Sequence, residues 1–123
     1  MRKLLFVVFV VLACSPPTGV PDDFEPFEPP LVYRDWYAQV EACAERTGDF
    51  GRIRWYLVPG TGWYSERHGT YVNGLWTSGH KIYVAESYVF YEPLIKEEMV
   101  HDLGFNHDAE GEVVLERCVY STR

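Results

Sequence analysis

Six of the eight prolines of this chain fall between Ser15 and Pro30, interleaved with Asp22, Asp23, Glu25 and Glu28. Proline fixes φ and removes a backbone donor, and carboxylates resist burial, so this stretch cannot build a core of its own. It is expected as an extended, acidic tether over residues 14–30. Phe24 and Phe27 are available to dock it on a domain, though nothing in the sequence requires that. What remains, residues 31–123, is enough for one small domain and no more. Hydrophobic residues make up 47% of the chain, so a core is affordable, but one of this size gains from a covalent brace.

Two function classes fall away early. Eleven Lys+Arg stand against eighteen Asp+Glu, a net charge of −7, with no cluster of cations to meet phosphates. A nucleic-acid partner is therefore not expected. Neither a 20–50-residue repeat nor a sustained heptad is present, which excludes solenoids and coiled coils.

The first residues read as an address. Met1-Arg2-Lys3 is a short basic start, and Leu4 to Ala13 carries no charge. Ten residues are too few to span a bilayer, which takes about 20, but they fit the apolar part of a secretory signal over residues 1–13. Val11-Leu12-Ala13-Cys14 resembles a bacterial lipobox, which implies a lipid on Cys14 and an extracytoplasmic, membrane-anchored protein of the cell envelope. Removal of Arg2 and Lys3 with the leader leaves nine basic and eighteen acidic residues, a net of −9. Charge would not draw such a protein to an anionic membrane, so attachment would rest on Cys14.

With Cys14 assigned to lipid, Cys43 and Cys118 remain as an even pair, expected to be a disulfide in an oxidising compartment. It would close a loop of 76 residues and contribute on the order of 4 kcal/mol.

Local patterns predict an α+β domain. A helix begins at Arg34, with Trp36, Val40, Cys43 and Ala44 on its apolar face, Tyr37 beside them, and Gly48 as a natural stop. Arg52 to Val58 reads as a strand ended by Pro59-Gly60. Thr70-Tyr71-Val72 and Leu75-Trp76-Thr77 flank Asn73-Gly74, a two-residue hairpin signal. Lys81 to Ala85 reads as another strand. A second helix is expected from Pro93 to Leu103, with Gly104 in a left-handed terminating conformation. Val113 to Leu115 and Cys118 to Tyr120 are expected in a short C-terminal strand, so the sheet would be small and mostly antiparallel.

The chemistry is concentrated in twelve residues, Glu97-Glu98-Met99-Val100-His101-Asp102-Leu103-Gly104-Phe105-Asn106-His107-Asp108. In the helix motif H-E-x-x-H two ligands sit one turn apart on one face, with a glutamate as general base. Here Glu98 and His101 hold the second and fifth positions, and Glu97 stands in the first. Gly104 follows three residues after His101, and His107 six residues after it. The helix must end at a glycine for the chain to swing back and bring a third ligand to the same ion.

This stretch resembles the metzincin signature of zinc metallopeptidases. The resemblance implies a minimal zincin-like fold in which an edge strand, expected to be Lys81–Ala85, lies beside the helix and pairs with an extended peptide. It also implies a zinc ion held by Glu97, His101 and His107, with Asp108 orienting an imidazole. Glu98 would take a proton from the attacking water and pass it to the leaving amine of a peptide or protein substrate. Three features depart from the family: Glu97 replaces histidine, no methionine follows His107, and only sixteen residues remain beyond it. Zinc accepts carboxylate as well as imidazole, but the added negative charge weakens its Lewis acidity. The alternative is a catalytically inactive zincin-fold lipoprotein that serves as a binding or structural module. His68 and His80 carry no motif and are expected in loops, with His80 in reserve as a ligand at a strand start. Trp55, Trp63, Tyr64, Tyr71 and Trp76 are expected to pack core and hairpin, with an aromatic ligand-binding face as the lesser alternative.

Overall fold

The structure, a computed structural model, describes residues 18–121; the leader, the lipobox and Cys14 lie outside the described residues. It is a small α+β domain of three helices and two sheets. No helix among the described residues is long and apolar enough to cross a membrane.

The described part of the proline-rich segment, from Thr18 onward, bends at Gly19 and at Asp22–Asp23 and lies against the domain. Residues Glu25–Pro26 (β1) pair antiparallel with Arg54–Val58 (β2). Phe24 sets its ring edge-on to Tyr56 and Tyr83, and Phe27 packs on Trp55. Phe24 and Phe27 both dock, as does Val20 against the cluster of Trp63 and Tyr83. The described part of the segment expected as a tether over residues 14–30 is therefore bound to the domain, with Glu25–Pro26 as a strand.

Helix α1 (Val32–Ala44) buries Tyr33, Tyr37, Val40 and Ala44 at helical spacing. Its buried face is rotated from the one expected, leaving Trp36 and Cys43 half-buried at the margin. The helix stops at Glu45, in left-handed conformation, rather than at Gly48.

The remaining strands are Trp63–Ser65 (β3), Thr70–Val72 (β4), Gly74–Thr77 (β5) and Lys81–Ala85 (β6). The main sheet has the order β1-β2-β6-β5, and β3 and β4 form a separate hairpin. β2 and β6 run parallel over five residue pairs; the other pairings are antiparallel. Ile82 and Val84 face the helices, while Tyr83 and Ala85 face the β3–β4 hairpin, the two-residue alternation of a strand covered on both sides.

Two expectations fail here for the same physical reason. Asn73-Gly74 does not form a hairpin turn: β4 pairs with β3, β5 pairs with β6, and the chain changes sheets at Asn73. A tight turn of that type needs positive φ at both positions, and neither residue has it. Gly74 is required instead because a side chain there would meet Leu94. The β5–β6 turn is made by Ser78-Gly79-His80, with Gly79 and His80 left-handed. Lys81–Ala85 is consequently interior, flanked on both sides, and the edge strands are β5 and β1.

Helix α2 (Glu92–Asp102) starts with proline in its first turn and buries Leu94, Ile95, Met99 and Val100 against the sheet. The expected C-terminal strand is a helix, α3 (Ala109–Leu115), continued by a π-helical turn over Glu116–Tyr120. Gly111, Val114, Leu115, Cys118 and Val119 are buried, a 3.6-residue period that outweighs the β-branched content. Cys43 and Cys118 form the disulfide, joining α1 to this last helix rather than to a strand.

Candidate metal centre

Helix α2 places Glu97 and His101 one turn apart on the same face. Beyond Asp102 the chain reverses at Gly104, whose φ of +96° is the left-handed conformation expected of it. Arg46 fastens this bend twice. Its Nη1 donates to the Leu103 carbonyl at 3.0 Å, and its guanidinium lies 4.0 Å from the centre of the buried Phe105 ring. The bend returns His107 to the helix, with the His101 and His107 ring centres 4.7 Å apart.

One ligand atom from each of Glu97, His101 and His107 lies within 4.8 Å of the other two. Nε2 of His107 is 3.8 Å from Oε1 of Glu97. Ligands about 2.0–2.2 Å from a tetrahedral ion sit roughly 3.4 Å apart, so closure takes an inward movement of about 1 Å. His107 has the freedom for it, its side chain being 59% exposed.

The donor set fits a cation because both imidazoles are oriented. Nδ1 of His101 donates to the Phe105 carbonyl at 2.8 Å, and Nδ1 of His107 donates to Oε1 of Glu112 at 2.7 Å. A carbonyl and a carboxylate can only accept, so each Nδ1 carries a hydrogen, and in the neutral ring the Nε2 lone pair is the one offered to an ion. Burial holds the His101 pKa down, which favours the neutral ring that ligation needs. The Tyr120 hydroxyl is hydrogen-bonded to Glu97; burial, reinforced by that carboxylate, pushes its pKa up to about 12.

Glu98, the next residue along α2, is only 6% exposed. The Trp76 backbone N–H on β5 donates to its carboxyl, while burial and the neighbouring charge of Glu97 push its pKa up to about 8. The folded domain without metal thus keeps the Glu98 proton through a range where the unfolded chain, at 4.5, has lost it. The unfolded state binds fewer protons there, so stability falls as pH rises from about 4.5 to about 8 and levels off above. Thermal unfolding of chelator-treated protein across that range checks this, and Glu98→Gln is expected to flatten the slope.

Asp108, expected to orient an imidazole, instead caps α3: its Oδ1 accepts from the Gly111 N–H at 2.8 Å. The orienting carboxylate is Glu112, five residues beyond His107. It carries no signal in the sequence, because only the α3 helix turns it back toward the ring. Trp76 was likewise invisible as the partner of Glu98. His80 is not a ligand; its Nδ1 lies 2.7 Å from Oδ1 of Asp102, a buried carboxylate that also accepts from Trp76 Nε1 and the Tyr37 hydroxyl. His68 lies in the β3–β4 turn, as expected of a loop residue. Of the aromatic set, Trp55 and Trp63 are buried, while Tyr64 and Tyr71 are exposed on the β3–β4 hairpin, edge to face.

The triad and Glu98 line a single cleft of about 360 Å³, together with residues of β5 and of the β3–β4 turn. No protein-family model, curated protein or solved structure matches this chain. The fold and the geometry together define a small α+β domain with a Glu/His/His group able to hold a metal ion.

Proposed function

We propose that this chain is a zinc-dependent peptidase-like lipoprotein of the bacterial cell envelope, with Glu97, His101 and His107 as the metal ligands and Glu98 as general base. The single observation that carries the reading is the convergence of one carboxylate and two pre-oriented imidazoles at the mouth of a cleft. The disulfide supports an oxidising compartment, and the Met1–Cys14 pattern supports export and lipid attachment. The edge strand that a zincin-like arrangement calls for is β5, beside α2, whose outer edge pairs with no strand among the described residues. An extended peptide laid along β5 would pass over Glu98.

A divalent cation at the triad supplies Lewis acidity toward a substrate carbonyl and toward water. Glu98 takes one proton from the attacking water as its oxygen bonds to the carbonyl carbon. The same carboxyl then gives that proton to the amide nitrogen as the C–N bond breaks. Burial favours the protonated form of Glu98, so the first transfer needs the carboxylate that a cation at the triad would stabilise.

A second reading rests on Glu97. It adds a negative charge to the ligand set and lowers the ion's acidity, which suits an inactive metal-binding module. The two are separated by metal content and peptide cleavage of the purified protein beside Glu97→His and Glu98→Ala. One zinc per chain, with cleavage reduced at least about 100-fold in Glu98→Ala, is the expected result. Cleavage that appears only in Glu97→His supports the inactive module. A folded protein that takes up no metal in any of the three removes both readings.

A further inference from the structure

The turn between β3 and β4 also lines the cleft: Arg67 and His68 border the same cavity as Glu97, Glu98, His101 and His107. This turn is braced from two sides. Ser65, wholly buried, sets its Oγ 2.8 Å from His68 Nδ1, and the Ser65 carbonyl accepts from the His68 and Gly69 N–H groups at 3.2 and 2.8 Å. Beneath it runs the N-terminal segment, where Gly19 has a φ of +75° and its carbonyl accepts from Trp63 Nε1 at 2.9 Å. A Cβ at Gly19 would stand 2.5 Å from Ser65 Oγ and 3.3 Å from the Arg67 Cβ, so the segment is seated tightly under the turn. Arg67 itself makes no ion pair or hydrogen bond among the described residues, in a chain with seven more acids than bases.

The guanidinium fork of Arg67 matches a carboxylate in shape and charge. We propose that Arg67 and His68 form a carboxylate clamp that fixes an acidic side chain or the terminal carboxylate of the peptide whose scissile carbonyl faces the metal centre. The assignment rests on the peptidase reading for its substrate class, and on the turn itself for its chemistry.

The test uses zinc-loaded protein and three pools of N-acetylated peptides: neutral and C-terminally amidated, neutral with a free C terminus, and amidated with Asp or Glu within the sequence. One of the two carboxylate-bearing pools is expected to be cleaved about tenfold more efficiently than the neutral amidated pool, as one charge-assisted contact allows. Which pool it is tells the terminal carboxylate from the side chain. Arg67→Ala is expected to erase that ratio and Arg67→Glu to invert it. Equal cleavage of all pools, or a preference that survives both substitutions, overturns the clamp while leaving the peptidase reading intact. The same fluorescently labelled pools are also titrated for binding by anisotropy. If no pool is cleaved, the peptidase reading fails, and the clamp stands or falls on an Arg67-dependent binding preference of similar size.

Discussion

Gly111→Ala destabilises the domain by about 3 kcal/mol, although helix propensity alone predicts a gain of about 1 kcal/mol for this change inside a helix. Gly111 is buried in α3, and a Cβ there would overlap the Asn106 carbonyl oxygen and lie 2.7 Å from its carbon. Both elements are backbone, so no rotamer change relieves the contact; α3 has to move off the bend. That bend carries His107, and α3 carries Glu112, which orients it. The melting temperature is expected to fall by roughly 10–20 °C. If the triad binds zinc as proposed, its affinity, measured by competition with a chromophoric chelator, is expected to fall about 10- to 100-fold, the usual cost of losing an orienting partner of a ligating histidine. A variant that melts at or above the parent's temperature would show that the close approach of α3 to the bend is not required.

Replacing Cys43 and Cys118 together by alanine lowers stability by about 4 kcal/mol. The two positions are 75 residues apart, and the cross-link removes the corresponding loop entropy from the unfolded chain. Urea unfolding of the double variant against the parent reads this as a lower midpoint with a changed slope, because the unfolded ensemble expands as well. The loss should extend to the metal centre. Cys118 holds the turn that ends in Tyr120, and the Tyr120 hydroxyl hydrogen-bonds Glu97. The Arg117 guanidinium, which donates to the Cys43 carbonyl at 3.2 Å, is a weak substitute for a covalent tie.

The metal triad was legible because its information is local. The spacing from Glu97 to His107 encodes one helical turn, a left-handed glycine and a return, and each of these needs only short-range backbone geometry. The disulfide was legible by elimination among three cysteines. Helices α1 and α2 and strands β2 and β6 followed from apolar periodicity, although α1 shows that periodicity fixes a face only to within a residue or so: Tyr37, Val40 and Ala44 are buried, but with Tyr33 in place of Trp36 and Cys43.

The C-terminal segment shows the opposite case. Val113-Val114-Leu115 and Cys118-Val119 carry strand-like residues, yet Asp108 caps a helix there and the buried positions repeat at helical spacing. The Asn73-Gly74 dipeptide shows it again. Its turn propensity is a few kcal/mol at most, and the pairing of β5 with β6 and the packing of Gly74 on Leu94 override it.

By itself, the sequence determined which side chains could meet a cation, which two cysteines could join, and where chain direction had to change after α2. The tertiary structure alone decided which strand lies open beside Glu98, which carboxylate orients His107, and that a turn bearing Arg67 and His68 shares the cleft. The reason is that spacing along the chain fixes neighbours within a turn or two, whereas partners drawn from different elements depend on how those elements pack, and packing follows from the whole set of buried surfaces at once.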